Sequence, residues 1–212
     1  MKKVLTTAGA IALLGLGAVT VNNFNQDAHA DKLNIVSMDG SFSIDIDNVQ
    51  EQVNFADYTF VGKVIEEANV EYIDEGQVNP DTGELLSTPI THYKVEVIDA
   101  LSSGFPVGEM VDVERVGGLS EDKSSMVQFE GEGNLESDSL YTMSVGVDEE
   151  NQLILSPKAA LLIPTDAATQ NTLAKNENID PRIYTDTATY KSVKKAIKKA
   201  KPISRERYEY KF

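Results

Sequence analysis

Between residues 58 and 163 the chain repeats short segments in which apolar and polar residues alternate with a period of two. The clearest segment, 58–65, is rich in β-branched and aromatic residues and sets Phe60, Gly62 and Val64 on one face. Further segments of this kind lie at 69–73, 93–98, 110–116, 126–129, 140–147, 152–156 and 160–163. Because little helical pattern separates them, the sequence predicts a mainly β fold, an antiparallel barrel or sandwich of five or six strands.

Two of the predicted strands form a hairpin. The sequence Asn79-Pro80-Asp81-Thr82-Gly83 favours a turn, because Pro fixes φ, Gly permits a positive φ, and Asn and Asp bond to nearby backbone. It lies between the strand that begins at Tyr58 and a return strand over 93–98, so we expect a long acidic tip over 74–90. Gly62 in the first strand predicts a bulge or a sharp bend, where a sheet curls towards a barrel.

A short helix is predicted before the β region. Val49, Val53 and Ala56 recur at helical spacing behind Asp47, which predicts a helix over 48–56 with Asp47 as its cap.

The residues before that helix are less regular. We predict a lead-in segment over 31–46 that is of mixed composition as far as Ser41. A short strand or an extended stretch is expected over 43–47.

The chain turns polar after Pro164, and two helices are predicted there. The weaker one covers 166–176, and the clearer one covers 187–201, begun by Asp186 and ended by Pro202. The apolar stripe of the second helix consists of Tyr190, Val193, Ile197 and Ala200.

The strand pattern resembles that of a known group of proteins. The residues that carry the resemblance are Ala56-Asp57-x-x-Phe60-Val61-Gly62-Lys63-Val64, Tyr93-Lys94-Val95-Glu96-Val97, the pair Gly117-Gly118 and Leu140-Tyr141-Thr142-Met143. Over residues 47–147 the pattern is similar to secreted Gram-positive bacterial proteins with an OB-fold-like barrel. These proteins in turn resemble the netrin-like barrel of tissue inhibitors of metalloproteinases. The resemblance implies a five- to six-stranded antiparallel OB-like barrel with a short N-terminal helix and a helical C-terminal extension.

Inhibition of the metalloproteinase type does not carry over with the resemblance. Those inhibitors chelate the zinc of their target through an N-terminal Cys, and this chain contains no Cys. A shared fold is in any case a weak basis for a shared function.

Residues 1–30 have the order of a secretory signal: a basic start at Met1-Lys2-Lys3, an uncharged run over 4–21, and the small-x-small site Ala28-His29-Ala30. We expect cleavage before Asp31 and export from a Gram-positive cell. A retained N-terminal anchor is the alternative, since the run is nearly long enough to cross a bilayer. The predicted organisation is a signal peptide over 1–30, the lead-in over 31–46, a β-barrel domain over 47–164 and a basic helical extension over 165–212.

Charge divides the chain into an acidic body and a basic end. Residues 31–190 carry 8 Lys or Arg and 31 Asp or Glu, a net charge of −23, whereas residues 191–212 carry 9 and 2, a net charge of +7. An acidic body argues against nucleic acid as a partner, because phosphates are repelled. No stretch after the signal is apolar enough to predict stable insertion into a membrane.

The composition excludes several kinds of site. Without Cys there are no disulfides, zinc–thiolate sites or thiol nucleophiles, and after the signal the chain holds a single His, His92. Carboxylate pairs are numerous, but so dense an acidic surface produces them without a function. Fragments of a calcium-binding loop occur at 81–84 and 131–134. The sequence therefore predicts no catalytic residue, no cofactor, and no residue that binds a cofactor or a metal, and leaves calcium open.

Two interpretations of the basic end remain open. The helix over 187–201 lies on the acidic body, or it contacts anionic surface polymers such as wall teichoic acids or lipid headgroups. The lysines that would make such a contact are Lys191, Lys194, Lys195, Lys198, Lys199 and Lys201.

We therefore expect a secreted, non-catalytic binding module of the bacterial cell surface, whose partner is an anionic surface polymer or a protein that the sequence does not identify. One alternative is a secreted carboxylate-dependent hydrolase of wall or glycan material. Another is an inhibitor of a secreted protease that acts through the 74–90 loop or the N-terminal segment.

Overall fold

The chain is mainly β. A computed structural model describes residues 33–78, 85–102, 104–175 and 179–212, so the signal predicted over 1–30 lies outside the described residues. The strands are β1 (Asn34–Met38), β2 (Tyr58–Val78), β3 (Leu85–Ala100), β4 (Met110–Val116), β5 (Gly118–Leu119), β6 (Ser125–Phe129), β7 (Leu140–Val147) and β8 (Leu153–Leu162). The helices are α1 (Val49–Phe55), α2 (Ala167–Ala174), α3 (Arg182–Thr185) and α4 (Ala188–Lys198).

Five strands close into a ring in the order β2-β3-β4-β8-β7. Four of the five pairings are antiparallel, but β4 and β8 run parallel, with Val113 opposite Leu153. The expectation of a wholly antiparallel arrangement is therefore wrong for this pair. Parallel neighbours need a long crossover, and the chain between β4 and β8 supplies it.

The other three strands form a separate small sheet in the order β1-β6-β5. The strand of the lead-in segment is β1, which pairs in parallel with β6 (Asn34 opposite Ser125), whereas residues 43–47 form bends and turns. The expectation of a strand over 43–47 is wrong. Strand β1 pairs in parallel with a strand that is far away in the sequence. No local sequence pattern therefore distinguishes its residues from those on either side.

The hairpin of β2 and β3 is longer than predicted. Its backbone ladder continues to the pair Val78–Leu85, so strands occupy most of the segment expected to be a loop over 74–90. The remaining tip, 79–84, lies outside the described residues. The ladder shifts register at Val61/Gly62, where the sequence predicts a bulge.

Strand β8 combines two predicted segments, 152–156 and 160–163. Lys158 in its middle has a positive φ of 58°, and the register of the opposite strand shifts between Met143 and Val145. This irregularity interrupts the alternation of apolar and polar residues along β8, and the sequence therefore predicts two strands.

Both predicted helix caps are displaced by one residue. Helix α1 begins behind Asn48, whose side chain accepts a hydrogen bond from the backbone N–H of Gln50, while Asp47 pairs with Lys158. Helix α4 begins behind Thr187, whose hydroxyl accepts from the N–H of Tyr190. In each case the residue with the correct cap geometry immediately follows the predicted acid. Helix α2 lies within the predicted 166–176, and the short α3 was not predicted.

Two buried clusters hold these elements together. One fills the ring with side chains from all five of its strands, among them Phe60, Tyr93, Val113, Met143 and Leu155. The other lies between the ring and the helices and contains Val53 of α1, Val61, Leu140, Leu173 of α2, and Val193 and Ala196 of α4. The helical C-terminal region therefore shares a core with the ring.

Helix α2 is also tied to the ring through a buried cation. The side chain of Lys63 on β2 is 1% exposed, donates a hydrogen bond to the carbonyl oxygen of Leu173, and lies 3.4 Å from a carboxylate oxygen of Asp138. None of the helices in the described ranges is both long enough and apolar enough to cross a membrane.

Candidate functional site

The predicted lysines come together on the outer side of α4. Lys191, Lys195 and Lys198 follow one another at spacings of four and three residues, which places them on one helix face, and all three are exposed. Lys194 is half-buried with its ammonium 5.8 Å from the centre of the Tyr190 ring. Lys199 and Lys201 are exposed just beyond the helix. We call these six residues the lysine face.

Helix α4 docks onto the protein through the side opposite the lysine face. Val193 and Ala196 are buried in the cluster shared with α1 and α2. The side-chain amide of Gln50 on α1 donates to the carbonyl oxygen of Ala196 at 3.0 Å, and the N–H of Lys201 donates to Asn54 at 2.8 Å. The helix therefore lies on the body by apolar packing and backbone contacts, without using its ammonium groups.

Few of these ammonium groups are paired with carboxylates. Lys191 lies 3.4 Å from Asp186, and both side chains are exposed. Among the described residues, none of the other five lysines of the face has a carboxylate within 4.0 Å. The body thus leaves most of the positive charge of the helix uncompensated at the surface.

The arginines of the C-terminal segment behave differently, because both converge on one buried carboxylate. The side chain of Asp57, between α1 and β2, is 5% exposed. Its Oδ2 accepts from Arg205 at 2.6 Å and from the N–H of Val147 at 2.9 Å, and its Oδ1 accepts from Arg207 at 2.7 Å. These bonds fasten the end of the chain to the ring. The sequence marks Asp57 as a motif residue but does not indicate its partners.

Aromatic side chains continue this attachment to the last residue. The ring of Tyr210 stacks on Phe105 at a centroid distance of 5.6 Å, and Phe212 meets Phe105 edge-on at 5.1 Å. The N–H of Tyr210 also bonds to the hydroxyl of Tyr58. The basic end therefore has two parts. One is a segment fastened to the body by Arg205, Arg207, Tyr210 and Phe212, which we call the C-terminal strap, and the other is the lysine face.

A pocket of about 390 Å³ lies between α1, β8 and the segment 131–136. Arg115 of β4 lies at one wall, where it donates to Glu132 at 2.9 Å and to the carbonyl oxygen of Gly133 at 2.6 Å. Lys158 of β8 pairs with Asp47 at 2.8 Å. The acids Glu132 and Asp47 in this pocket are therefore both engaged by cations.

His92 lies elsewhere, on β3 of the ring, between two carboxylates. Its Nδ1 is 3.6 Å from Glu114, and its Nε2 is 3.7 Å from Glu71. Burial raises the pKa of Glu114, an effect that the nearby His92 opposes. A glycosidase-like site needs a cleft with two convergent acids, one with a raised pKa. Glu114, whose pKa is raised, does not line the pocket. Of the three acids that do, Glu132 and Asp47 are ion-paired, and Glu136 is exposed.

Within the described ranges, no group of three or more His, Asp or Glu side chains is arranged to hold a metal ion. Of the two calcium-loop fragments, 81–84 lies outside those ranges. The chain matches no protein-family model and no curated protein. The lysine face and the pocket are therefore the features of the described residues that indicate a function.

Proposed function

We propose that this protein is a secreted, non-catalytic binding module of the bacterial cell surface, and that its lysine face contacts a phosphate-rich anionic surface. The observation that supports the proposal is the way α4 is held. Its apolar side is buried with Val53 and Leu140, while Lys191, Lys195 and Lys198 on the other side are exposed to solvent. A helix fixed in this way presents several cations at once, with no folding step on contact.

The magnitude of the attraction is adequate for surface retention. Each cation close to an anionic lipid surface contributes about 1 kcal/mol, so that even three or four engaged lysines favour binding by a few kcal/mol. The acidic body, with its net charge of −23 over residues 31–190, favours an orientation in which only the lysine face approaches. We infer one-sided attachment that weakens as salt screens the charges.

We further propose that the ring is an OB-like barrel. Numbered within the ring, its strands follow the order 1-2-3-5-4, with the first strand next to the fourth and one parallel pair between the third and the fifth. This order supports the OB-like arrangement that the strand motifs imply. The small sheet of β1, β5 and β6 is then an insertion between the third and fourth strands that recruits the lead-in segment.

The test compares two triple variants of equal charge change in the purified protein. In the first, Lys195, Lys198 and Lys199 are changed to Gln. In the matched control, three exposed lysines outside α4 are changed to Gln: Lys123, Lys175 and Lys211. Gln has nearly the helix propensity of Lys, and the three control lysines are exposed and lie outside the helices, so neither variant should lose its fold.

Binding is measured by cosedimentation with isolated cell walls, with walls stripped of anionic polymers, and with vesicles of anionic lipid. We expect the α4 variant to bind the anionic surface at least about 10-fold more weakly, since about 1 kcal/mol per lysine is lost, and the control to change less than about 2-fold. Equal losses in the two variants would show a general charge effect and contradict the proposal. The wall and vesicle arms identify which source of phosphate is bound.

Deletion of residues 191–212 is a poor substitute for these variants. It removes Val193 and Ala196 from the shared core and leaves the buried Asp57 without its two arginines. Loss of binding after such a deletion would follow from unfolding alone.

A further inference from the structure

The pocket beside α1 is lined by buried polar side chains whose hydrogen-bonding capacity is not fully satisfied within the described residues. Gln52, Arg115 and Tyr141 line it with only 4%, 4% and 5% of their surfaces exposed. At about 390 Å³ the pocket falls within the range usual for small-molecule sites. None of these residues belongs to the lysine face or to the C-terminal strap.

Gln52 offers an acceptor to this pocket. Its side-chain NH₂ donates to the carbonyl oxygens of Ile46 and Lys158, and since both neighbours are acceptors, the amide must present its nitrogen to them. The amide oxygen has no hydrogen-bond donor among the described residues. An acceptor held in one orientation by two hydrogen bonds of the same amide is well placed to receive a ligand hydroxyl.

Tyr141 offers a donor. Its hydroxyl oxygen accepts from the backbone N–H of Glu136 at 2.9 Å, which fixes the side chain. Within the described part of the chain, the hydroxyl proton has no acceptor. The pocket therefore holds a preorganised donor as well as a preorganised acceptor.

The charges in the pocket favour a neutral ligand. Arg115 and Glu132 form a buried pair with side-chain exposures of 5% and 7%, and Lys158 pairs with Asp47. An ionic ligand would have to compete with these pairs, whereas a neutral ligand leaves them intact and leaves the third acid of the lining, the exposed Glu136, in contact with water. Glu132 also accepts from the N–H of Lys158, so that the pair holds β4, β8 and the segment 131–136 in place.

Apolar side chains complete the lining: Ile46, Val49, Leu135, Ala160, Leu161 and Leu162. A pyranose ring has the matching character, with C–H groups on its faces and hydroxyls, each a donor and an acceptor, around its edge. We propose that this pocket binds a neutral monosaccharide unit, with Gln52 accepting from one hydroxyl and Tyr141 donating to another. This inference is independent of the lysine face.

The test is a titration of the full chain, followed by NMR, with glucose, galactose and N-acetylglucosamine as neutral probes and inorganic phosphate as the anionic probe. We expect saturable binding of at least one sugar and none of phosphate. Backbone amide shifts should concentrate in 131–136 and 158–162. Absence of binding by all three sugars, preferential binding of phosphate, or shifts centred elsewhere would overturn the proposal.

A pair of variants tests the role of the hydroxyl. Tyr141→Phe removes the donor, and we expect roughly 5-fold weaker sugar binding, the value of about one hydrogen bond. Tyr184→Phe is the matched control, because Tyr184 is also a buried tyrosine but lies in the cluster between the ring and the helices and does not line the pocket. Equal weakening by both variants would contradict direct contact. The amide-shift map of the unaltered protein decides the question even if Tyr141→Phe is unstable.

Discussion

Asp57 is the residue whose replacement should most clearly reveal how the C-terminal segment is held. In Asp57→Asn, the side-chain oxygen can still accept from the N–H of Val147 and from Arg205. The new NH₂ group then faces Arg207, so two donors meet where an ion pair stood at 2.7 Å. The substitution preserves the shape of the side chain and removes its charge.

The expected cost follows from the burial of the site. Loss of one charge-assisted hydrogen bond costs about 1.5–3 kcal/mol, and the bond to Arg205 is weakened at the same time. Both arginines keep bonds to backbone carbonyl oxygens of residues 54–56, which limits the loss. We therefore expect a free energy of unfolding lower by about 3 kcal/mol, which corresponds to a fall in Tm of about 6–12 °C for a chain of this size.

Urea denaturation of Asp57→Asn measures this loss, and hydrogen exchange locates it. The matched control is Asp112→Asn, which breaks an exposed pair with Lys94 and should cost less than about 1 kcal/mol. Exchange should rise first in residues 203–212. A loss below about 1 kcal/mol, or unchanged protection of these residues, would refute the role assigned to Asp57.

Three further substitutions test other parts of the account. Gly62→Ala places a Cβ atom 2.5 Å from Val95, and we expect about 1–3 kcal/mol of destabilisation by urea denaturation; a neutral result would contradict the close approach. Thr187→Ala removes the α4 cap and should lower the free energy of unfolding by about 1 kcal/mol, whereas Asp186→Ala should leave it nearly unchanged. A larger loss for Asp186→Ala than for Thr187→Ala would show that Asp186 is the cap. Glu114 has a raised pKa in the folded state, so the folded chain holds this proton more tightly than the unfolded chain, and stability falls as pH rises towards the folded pKa. Glu114→Gln should therefore be more stable than the natural chain at neutral pH, with a difference that shrinks on acidification in thermal melts at several pH values.

Local periodicity predicts those elements in which buried and exposed residues alternate regularly along the sequence. The alternation over 110–116 and 140–147 corresponds to β4 and β7, and the stripe containing Val193 corresponds to the buried side of α4. Ala196 was missing from the predicted stripe but is buried, and Ala200 is exposed because α4 ends at Lys198, three residues before the predicted end at 201.

Contacts between distant segments have no such signal. The pairing of β1 with β6 and the parallel pairing of β4 with β8 join segments that are far apart in the chain. Asp57 meets its arginines across about 150 residues. Equally, Gln52 reaches Lys158 across 106 residues to form a wall of the pocket. These contacts depend on the closed ring, which a single sequence does not specify residue by residue.

The motif residues acquire structural roles. Asp57 anchors the C-terminal strap, Gly62 permits the close approach of β3, and Tyr141 holds the segment 131–136 through its hydroxyl. The predicted functional lysines lie apart from all three, on a helix that is docked by its opposite side. Stability and the proposed surface binding therefore depend on different residues, and each can be altered separately.

The dependence of cell-wall binding on salt tests the central claim most directly. The Debye length falls from about 8 Å at 0.15 M to about 3 Å at 1 M salt, so contact through exposed lysines should be largely lost over this range. We expect strong binding of the natural chain at the lower concentration and weak binding at the higher one. The variant with Lys195, Lys198 and Lys199 changed to Gln should bind weakly at both. Binding that persists at high salt, or that the variant retains in full, would contradict attachment through the lysine face.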